Sequence, residues 1–421
     1  MSKKEAFYRW SVDARRDWLR SQGLITDQEY RLLQTSSSEE MSRVNDICSE
    51  NVVGSWPMPF SIVQDFRLND QSWMIPLVSE ETSVVAALNH MAKWLRSSGK
   101  LTAKVQSRGC WGQLFYGRCD NDVLANRIIE RRDAILAYVN QTLAQRMLAR
   151  GGGAKDLRVR CLSEGTLVVD ILLDTVDAMG ANFINMVCEQ LGVYLFRWTK
   201  QKPLTAILSN HQPQSLVVAQ VAFEHVMPSL AESIVALSHF AEQDVYRAVT
   251  HNKGIMNGVD ALLTATGNDT RAAGAAAHAY AGSFVQYAPL ATWSIDREML
   301  IGALKMPIPC GVVGGVTGVH PMAKMALRCL GVSTRDALVE VCAGVGLMQN
   351  LAALKALSQE GITQGHMRLH MENLMMGLTR NDIEHQQLHA SATAYLSRYG
   401  VIDALKLKGL LETIRKRASI V

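Results

Sequence analysis

No CxxC pair occurs anywhere in these 421 residues, although eight cysteines are present. Spread singly as Cys48, Cys110, Cys119, Cys161, Cys188, Cys310, Cys329 and Cys342, they match neither a zinc ribbon nor a disulfide framework. A reducing, cytoplasmic setting is the expectation. Charged residues make up only 19% of the chain, and the net charge of +4 comes from scattered Lys and Arg. That leaves no basic stripe from which nucleic-acid binding could be read. No apolar h-region follows the charged opening MSKKEAFYRW, so no secretory signal is read there. The long uncharged run 272–295 contains Gly, His, Gln, Ser and Pro, which makes it a poor membrane span; it reads as buried helix.

Three ready-made site motifs are missing as well: GxGxxG after a strand, the GK[ST] ending of a P-loop, and HExxH. The sequence GHMRLH sets His366 and His370 one helical turn apart but lacks the glutamate, so no metal is expected. Three glycine-rich places remain, GGG at 151–153, DAMGAN at 177–182 and CGVVGGVTGVHP at 310–321, each readable as a turn or a close helix contact. DAMGAN also follows the strand-like VVDILLDTV and opens a helix, a geometry suited to a pyrophosphate.

What is present is a large apolar content, 48%, enough for two or three domains. Short polar helices occupy the first fifty residues, and alternation in SWMIPLVSEE suggests strands. TSVVAALNHMAKWLRSSGK has helical spacing with Gly99 as its stop. Between about 106 and 213, strand-like LRVRCL, GTLVVDILLD and LTAILSN alternate with helical runs at 121–148 and 181–198, a compact α/β or α+β unit inserted in a larger domain. From Ser215 on, helices dominate. Residues 361–421 read as a separate helical unit with a basic tail.

One charge is out of place. Lys253, in THNKGIMNG, enters an apolar segment with no acid beside it, and a desolvated ammonium needs a partner. Glu80 and Glu81 in VSEETS, between apolar IPLV and VVAAL, are either helix-start acids or a raised-pKa proton donor able to pair with Lys253. Asp269 lies sixteen residues beyond the lysine, between Asn268 and Thr270.

Read in order, ENVVG, VSEETS, DAMGAN, ILSN, YRAVTHNKGIMNG, TGNDTRA, GVVGGVTGVHP, MQNLAALKALSQEGI and GHMRLH resemble the motif series of 3-hydroxy-3-methylglutaryl-coenzyme A reductases, particularly the short bacterial (class II) form. The resemblance implies an α+β fold: a large, mostly helical substrate-binding and dimerisation domain (1–107 and 215–362), an inserted small α/β dinucleotide-binding domain (108–214) and a C-terminal helical flap (363–421). It implies two hydride transfers interconverting HMG-CoA with mevalonate and free coenzyme A, in the biosynthetic or the degradative direction, with no membrane partner and a site built across a homodimer or higher oligomer. By motif position, Lys253 would be the cation at the developing oxyanion, Glu81 the proton source, Asp269 the bridge between them, and His366 the acid for the leaving thiolate. Ser83, Asn210, Arg247, Asn257 and Gln349 would bind substrate, with Arg247 suited to a carboxylate. Asp177, Ala178, Met179, Gly180 and Asn182 would hold the nucleotide.

Two departures stand out. Thr82 and Ser83 follow the acidic pair where the family has proline and serine, and Gly318 and Val319 replace more polar residues. NAD-preferring members carry an aspartate shortly before the GGG turn; here AYVNQTLAQRMLARGGG has no acid and offers Arg146 and Arg150, which leans from NADH towards NADPH. A non-catalytic coenzyme A-binding protein on the same scaffold is the competing reading, and the presence of all four catalytic residue types weighs against it. A generic alcohol dehydrogenase is disfavoured by the missing GxGxxG.

Overall fold

The computed structural model describes residues 6–36, 38–117, 121–359, 371, 374–375, 378–399 and 402–418. Three short helices come first: α1 (Val12–Ser21), α2 (Asp27–Thr35) and α3 (Glu39–Cys48). Ser11, Thr26 and Ser38 each cap one of them by accepting from the amide three residues on. Buried Arg15 and Arg16 then donate to the Val52 and Val53 carbonyls at 2.9 and 2.6 Å, which ties the ENVVG stretch to α1.

Alternating sequence at 60–78 folds as a hairpin of β1 (Phe60–Leu68) and β2 (Gln71–Val78), burying Val63, Phe66, Ile75 and Leu77. It leads into α4 (Val84–Ser98), which stops at Gly99, and β3 (Gly99–Val105). The central unit holds β4 (Cys110–Tyr116), α5 (Asn121–Ile129), α6 (Arg132–Tyr138), α7 (Gln145–Leu148), β5 (Gly153–Cys161), β6 (Leu167–Asp174), α8 (Ala181–Thr199) and β7 (Thr205–Leu208). Its strands pair only antiparallel, in the order β5-β6-β4-β7, so the alternation of strand and helix does not produce a parallel sheet. The helical run read at 121–148 is broken, with a wide turn at Val139–Leu143 between α6 and α7. This unit has its own core, built on Leu114, Ile128, Val169, Ile171, Val187 and Leu191.

The rest is β8 (Leu216–Phe223), α9 (Pro228–Gln243), α10 (Val245–Ala265), α11 (Thr270–Ala281), β9 (Ala291–Asp296), β10 (Met299–Pro307), α12 (Gly315–Val319), α13 (Pro321–Leu330) and α14 (Arg335–Gln359). One expectation is corrected here. The run 272–295 is not one buried helix: α11 ends at Ala281 and β9 begins at Ala291. Helices dominate after Ser215 as expected, packed over an antiparallel sheet of β3-β8-β10-β9. α14 has the length and composition of a membrane span, but 83% of its apolar window is buried, so it is the core helix. Gly258 on α10 and Gly346 on α14 let these two helices approach closely: a Cβ at either would sit 3.0 Å from Val345, Ile255 or Val259. Two C-terminal helices, Asp382–Tyr399 and Ala404–Ala418, share a third small core around Leu388, Leu407 and Leu411.

Candidate active site

α10 organises the first half of the site. Asp244 caps it by accepting from the Arg247 amide at 2.7 Å, and the helix then presents Arg247, Thr250, Lys253, Gly254 and Asn257 along one side at three- and four-residue steps. That side lines a cavity of about 560 Å³ closed by the start of α4, with Glu81 and Ser83, and by Gln349 and Asn350 on α14. Lys253 finds its partner there: its Nζ donates to Glu81 Oε2 at 2.9 Å, across 172 residues of sequence. Asn257 Nδ2 donates to the other oxygen, Oε1, at 3.4 Å. The side chains of Lys253 and Glu81 are 59% and 40% exposed, so the pair faces the cavity rather than the core. Ser83 takes left-handed backbone, φ 80°, a strained state for a non-glycine residue of the kind that collects at ligand sites. Thus Glu81, Ser83, Arg247, Lys253, Asn257 and Gln349, named separately from sequence, line one cavity.

Asp269 does not join them. α10 runs on past Lys253 for another dozen residues, roughly 18 Å, before the turn at Gly267. Beyond that turn Asp269 caps α11, accepting from the Ala272 amide at 3.0 Å and pairing with Arg271 at 3.5 Å. Among the described residues it makes no bond to Lys253 or Glu81, so the expected triangle is not closed within one chain. The cause is the rigid helix between the two motifs. Asn210, exposed after β7, also lies off this cavity, and the readings on His366 and His370 fall outside the described residues.

Asp269 instead belongs to a second half, beside DAMGAN. Asn268 Oδ1 accepts from the Gly311 amide at 2.8 Å, and Val312 N–H donates to the Asp177 carbonyl at 2.9 Å. Gly311 is needed for that docking, because a Cβ there would lie 2.4 Å from the Met179 nitrogen. Arg335 adds its backbone N–H to Asp177 Oδ1 at 3.0 Å, and its buried guanidinium bonds Ser215. Sequence reading missed Asn268, Gly311 and Arg335; adjacency to Asp269 and the glycine-rich motif were the available signals. Gly180, at φ 85°, opens α8 with no side-chain cap and no acid in the first turn, so the leading N–H groups of a 19-residue helix are suited to an anion. The GGG turn packs against this loop, with a Cβ at Gly152 placed 2.5 Å from the Asp174 carbonyl. Arg146 and Arg150 flank that turn, both exposed and in no ion pair among the described residues.

Fold and site together define an α+β protein with an ion-paired cavity on its large core and a glycine-rich loop site beside its small one. The family model described as hydroxymethylglutaryl-coenzyme A reductase matches residues 11–371. The 3-hydroxy-3-methylglutaryl-coenzyme A reductase of Archaeoglobus fulgidus is 36% identical over 91% of this chain and 89% of its own length. Among solved structures, the reductase from Streptococcus pneumoniae is similar over 97% of this chain and 99% of its own, with TM-score 0.74 and 34% identity. The class II enzyme of that organism bound to NADPH in open conformations matches with TM-score 0.72 and 37% identity, over 83% and 98% of the two chains. The chain belongs to the hydroxymethylglutaryl-coenzyme A reductase family.

Proposed function

We propose that this protein interconverts HMG-CoA with mevalonate and coenzyme A by two hydride transfers, in a site completed by two copies of the chain. The Lys253–Glu81 contact at the cavity carries the reading. Each hydride addition puts negative charge on a carbonyl oxygen, and an ammonium held at that oxygen in a water-poor site stabilises it by several kcal/mol. Glu81 then donates the proton to the alkoxide. Arg247 takes the substrate carboxylate, with Ser83, Asn257 and Gln349 around it, and Asn210 completes the substrate set from the small unit. His366, from its GHM position, protonates the departing thiolate.

Asp269 stands with Asp177–Asn182 and away from its own Lys253, which favours its reaching the lysine of a second copy. NADPH is the proposed cofactor and supplies the hydride when bound. The start of α8 would take its pyrophosphate, and Arg146 or Arg150 its extra phosphate. The segments 1–107 with 215–362, 108–214 and 363–421 are proposed as the substrate, nucleotide and flap domains, in a cytoplasmic homodimer.

Steady-state assays with NADPH and NADH in both directions test the reading; no turnover with either pair sinks it. Mixing inactive Lys253→Ala with inactive Asp269→Ala tests the sharing. Random reassortment should restore roughly a quarter of wild-type activity, because each mixed dimer keeps one complete site. No recovery from properly mixed dimers means the site is not shared.

A further inference from the structure

Three buried polar atoms beside the cavity have no hydrogen-bond partner among the described residues: Arg247 Nε, His251 Nδ1 and Gln349 Oε1. Native interiors leave only a few such atoms unpaired, and three of them gathered at one cavity point to an arrangement completed by a ligand. His251 is the member whose chemistry is best defined. Its ring is 1% exposed, and Nε2 lies 3.0 Å from the Ala291 carbonyl oxygen. A carbonyl can only accept, so the hydrogen is on Nε2. Burial, reinforced by the Arg247 charge and only partly offset by the Ala291 bond, draws the imidazole down to about 4. The ring is therefore neutral at pH 7, and Nδ1 is a bare acceptor. Arg247 stands one helical turn earlier on the same side of α10, and its orphan Nε–H is a donor that cannot be turned off.

Neighbouring contacts leave the ring little freedom. Asn252 donates to Tyr287 Oη at 3.1 Å and to the Ala288 carbonyl at 3.0 Å, and accepts from the Leu290 amide at 2.8 Å. Together with the His251–Ala291 bond, these clamp segment 287–291 along α10. An acceptor fixed in this way can orient a longer, more mobile side chain next to it.

We infer that His251 is a positioning residue for the acid end of the substrate: its Nδ1 receives the Arg247 Nε–H and holds the guanidinium fork so that both terminal nitrogens meet a ligand carboxylate. The bond closes when the carboxylate draws the fork into place, which accounts for two of the orphan atoms at once. Gln349 Oε1 is left to accept from the substrate's own hydroxyl. This rests on the substrate reading above.

Two variants separate the role from mere packing. His251→Gln can keep the donor to Ala291 but has no acceptor at the Nδ1 position, whereas His251→Asn keeps an acceptor there and loses the Ala291 bond. His251→Gln should raise KM for HMG-CoA, and weaken calorimetric binding of mevalonate, by about tenfold with kcat within about twofold, the loss expected of one hydrogen bond to a charged group. His251→Asn should melt lower yet keep KM within about threefold of wild type. An unmoved KM in folded His251→Gln overturns the inference, as does an Asn variant that binds as poorly as the Gln variant. Wild-type turnover measured alongside tells the failures apart: turnover with no effect of His251→Gln rejects the inference alone, and absence of wild-type turnover and binding rejects both.

Discussion

Replacing Lys253 by methionine separates what the lysine does for folding from what it does for chemistry. In the resting chain its ammonium meets Glu81 Oε2 at 2.9 Å, but the two side chains are 59% and 40% exposed. A pair so open to water contributes about 0–1 kcal/mol to stability. For a chain of this size that converts to a fall in Tm of at most about 2–4 °C. Under the proposed mechanism the same ammonium acts differently in the transition state, where the charge on the reacting oxygen would form inside a site closed to water. Removing one preorganised donor there costs about 3–4 kcal/mol, or roughly 10²–10³ in kcat, and a full cation should lie at or beyond the upper end. Methionine preserves the apolar stem and its packing. The expected outcome is a Tm within a few degrees of wild type, acyl-coenzyme A affinity within severalfold, and turnover at least about a thousandfold lower. Calorimetry on the free protein and single-turnover absorbance at 340 nm measure the two effects. A variant that retains more than a tenth of wild-type turnover, or that unfolds many degrees earlier, would refute the division between an inexpensive ground-state pair and a costly transition-state loss.

Other consequences are open to direct measurement. Gly311→Ala pushes a methyl against the Met179 backbone, 2.4 Å away, so titration of tryptophan fluorescence should show NADPH binding weakened about tenfold or more while the cavity at Lys253 is untouched. Asp170 is fully buried under Arg158 and Arg160; burial disfavours its charge, but bonds from Arg160, Gln113 and Arg158 outweigh this and hold its carboxyl below the usual range. A lowered folded-state value gives stability that is complete above the unfolded carboxyl pKa, about 3.9, and is lost as pH falls below it. Asp170→Asn should therefore lower Tm at pH 7 and flatten its fall in acid, and a variant melting like wild type at both pH values would remove the cluster as a stabiliser. Gly112→Ala puts a Cβ 2.2 Å from Cys188 Sγ between β4 and α8, and should cost about 1–3 kcal/mol by overpacking, visible in denaturant unfolding.

How far the sequence could be read follows from the range of the forces involved. The stop of α4 at Gly99, the strand alternation of 71–78 and the helix opened by DAMGAN were legible because each is decided within a few residues by capping, period and backbone freedom. β8 was not, although Val217, Ala219, Val221 and Phe223 alternate inward, because its identity depends on β3 and β10, which arrive from distant segments. The division of 272–295 into α11 and β9 has the same origin: Trp293 and its neighbours become strand only by pairing with β10.

For the site, the apolar surroundings of Lys253 in sequence suggested that it needs a partner, a carboxylate, backbone carbonyls or an anionic ligand, although its side chain proves 59% exposed. Motif order named Glu81, Ser83, Arg247, Asn257 and Gln349 beside it. Tertiary structure decided which acid answers the lysine. A close helix crossing at Gly258 and Gly346 brings α14 onto α10, and the β2–α4 corner delivers Glu81, while the unbroken length of α10 carries Asp269 to the opposite end. A local pattern specifies what a charge needs, but the partner is set by the rigid elements that separate or join distant segments, and their lengths act only once the chain has packed.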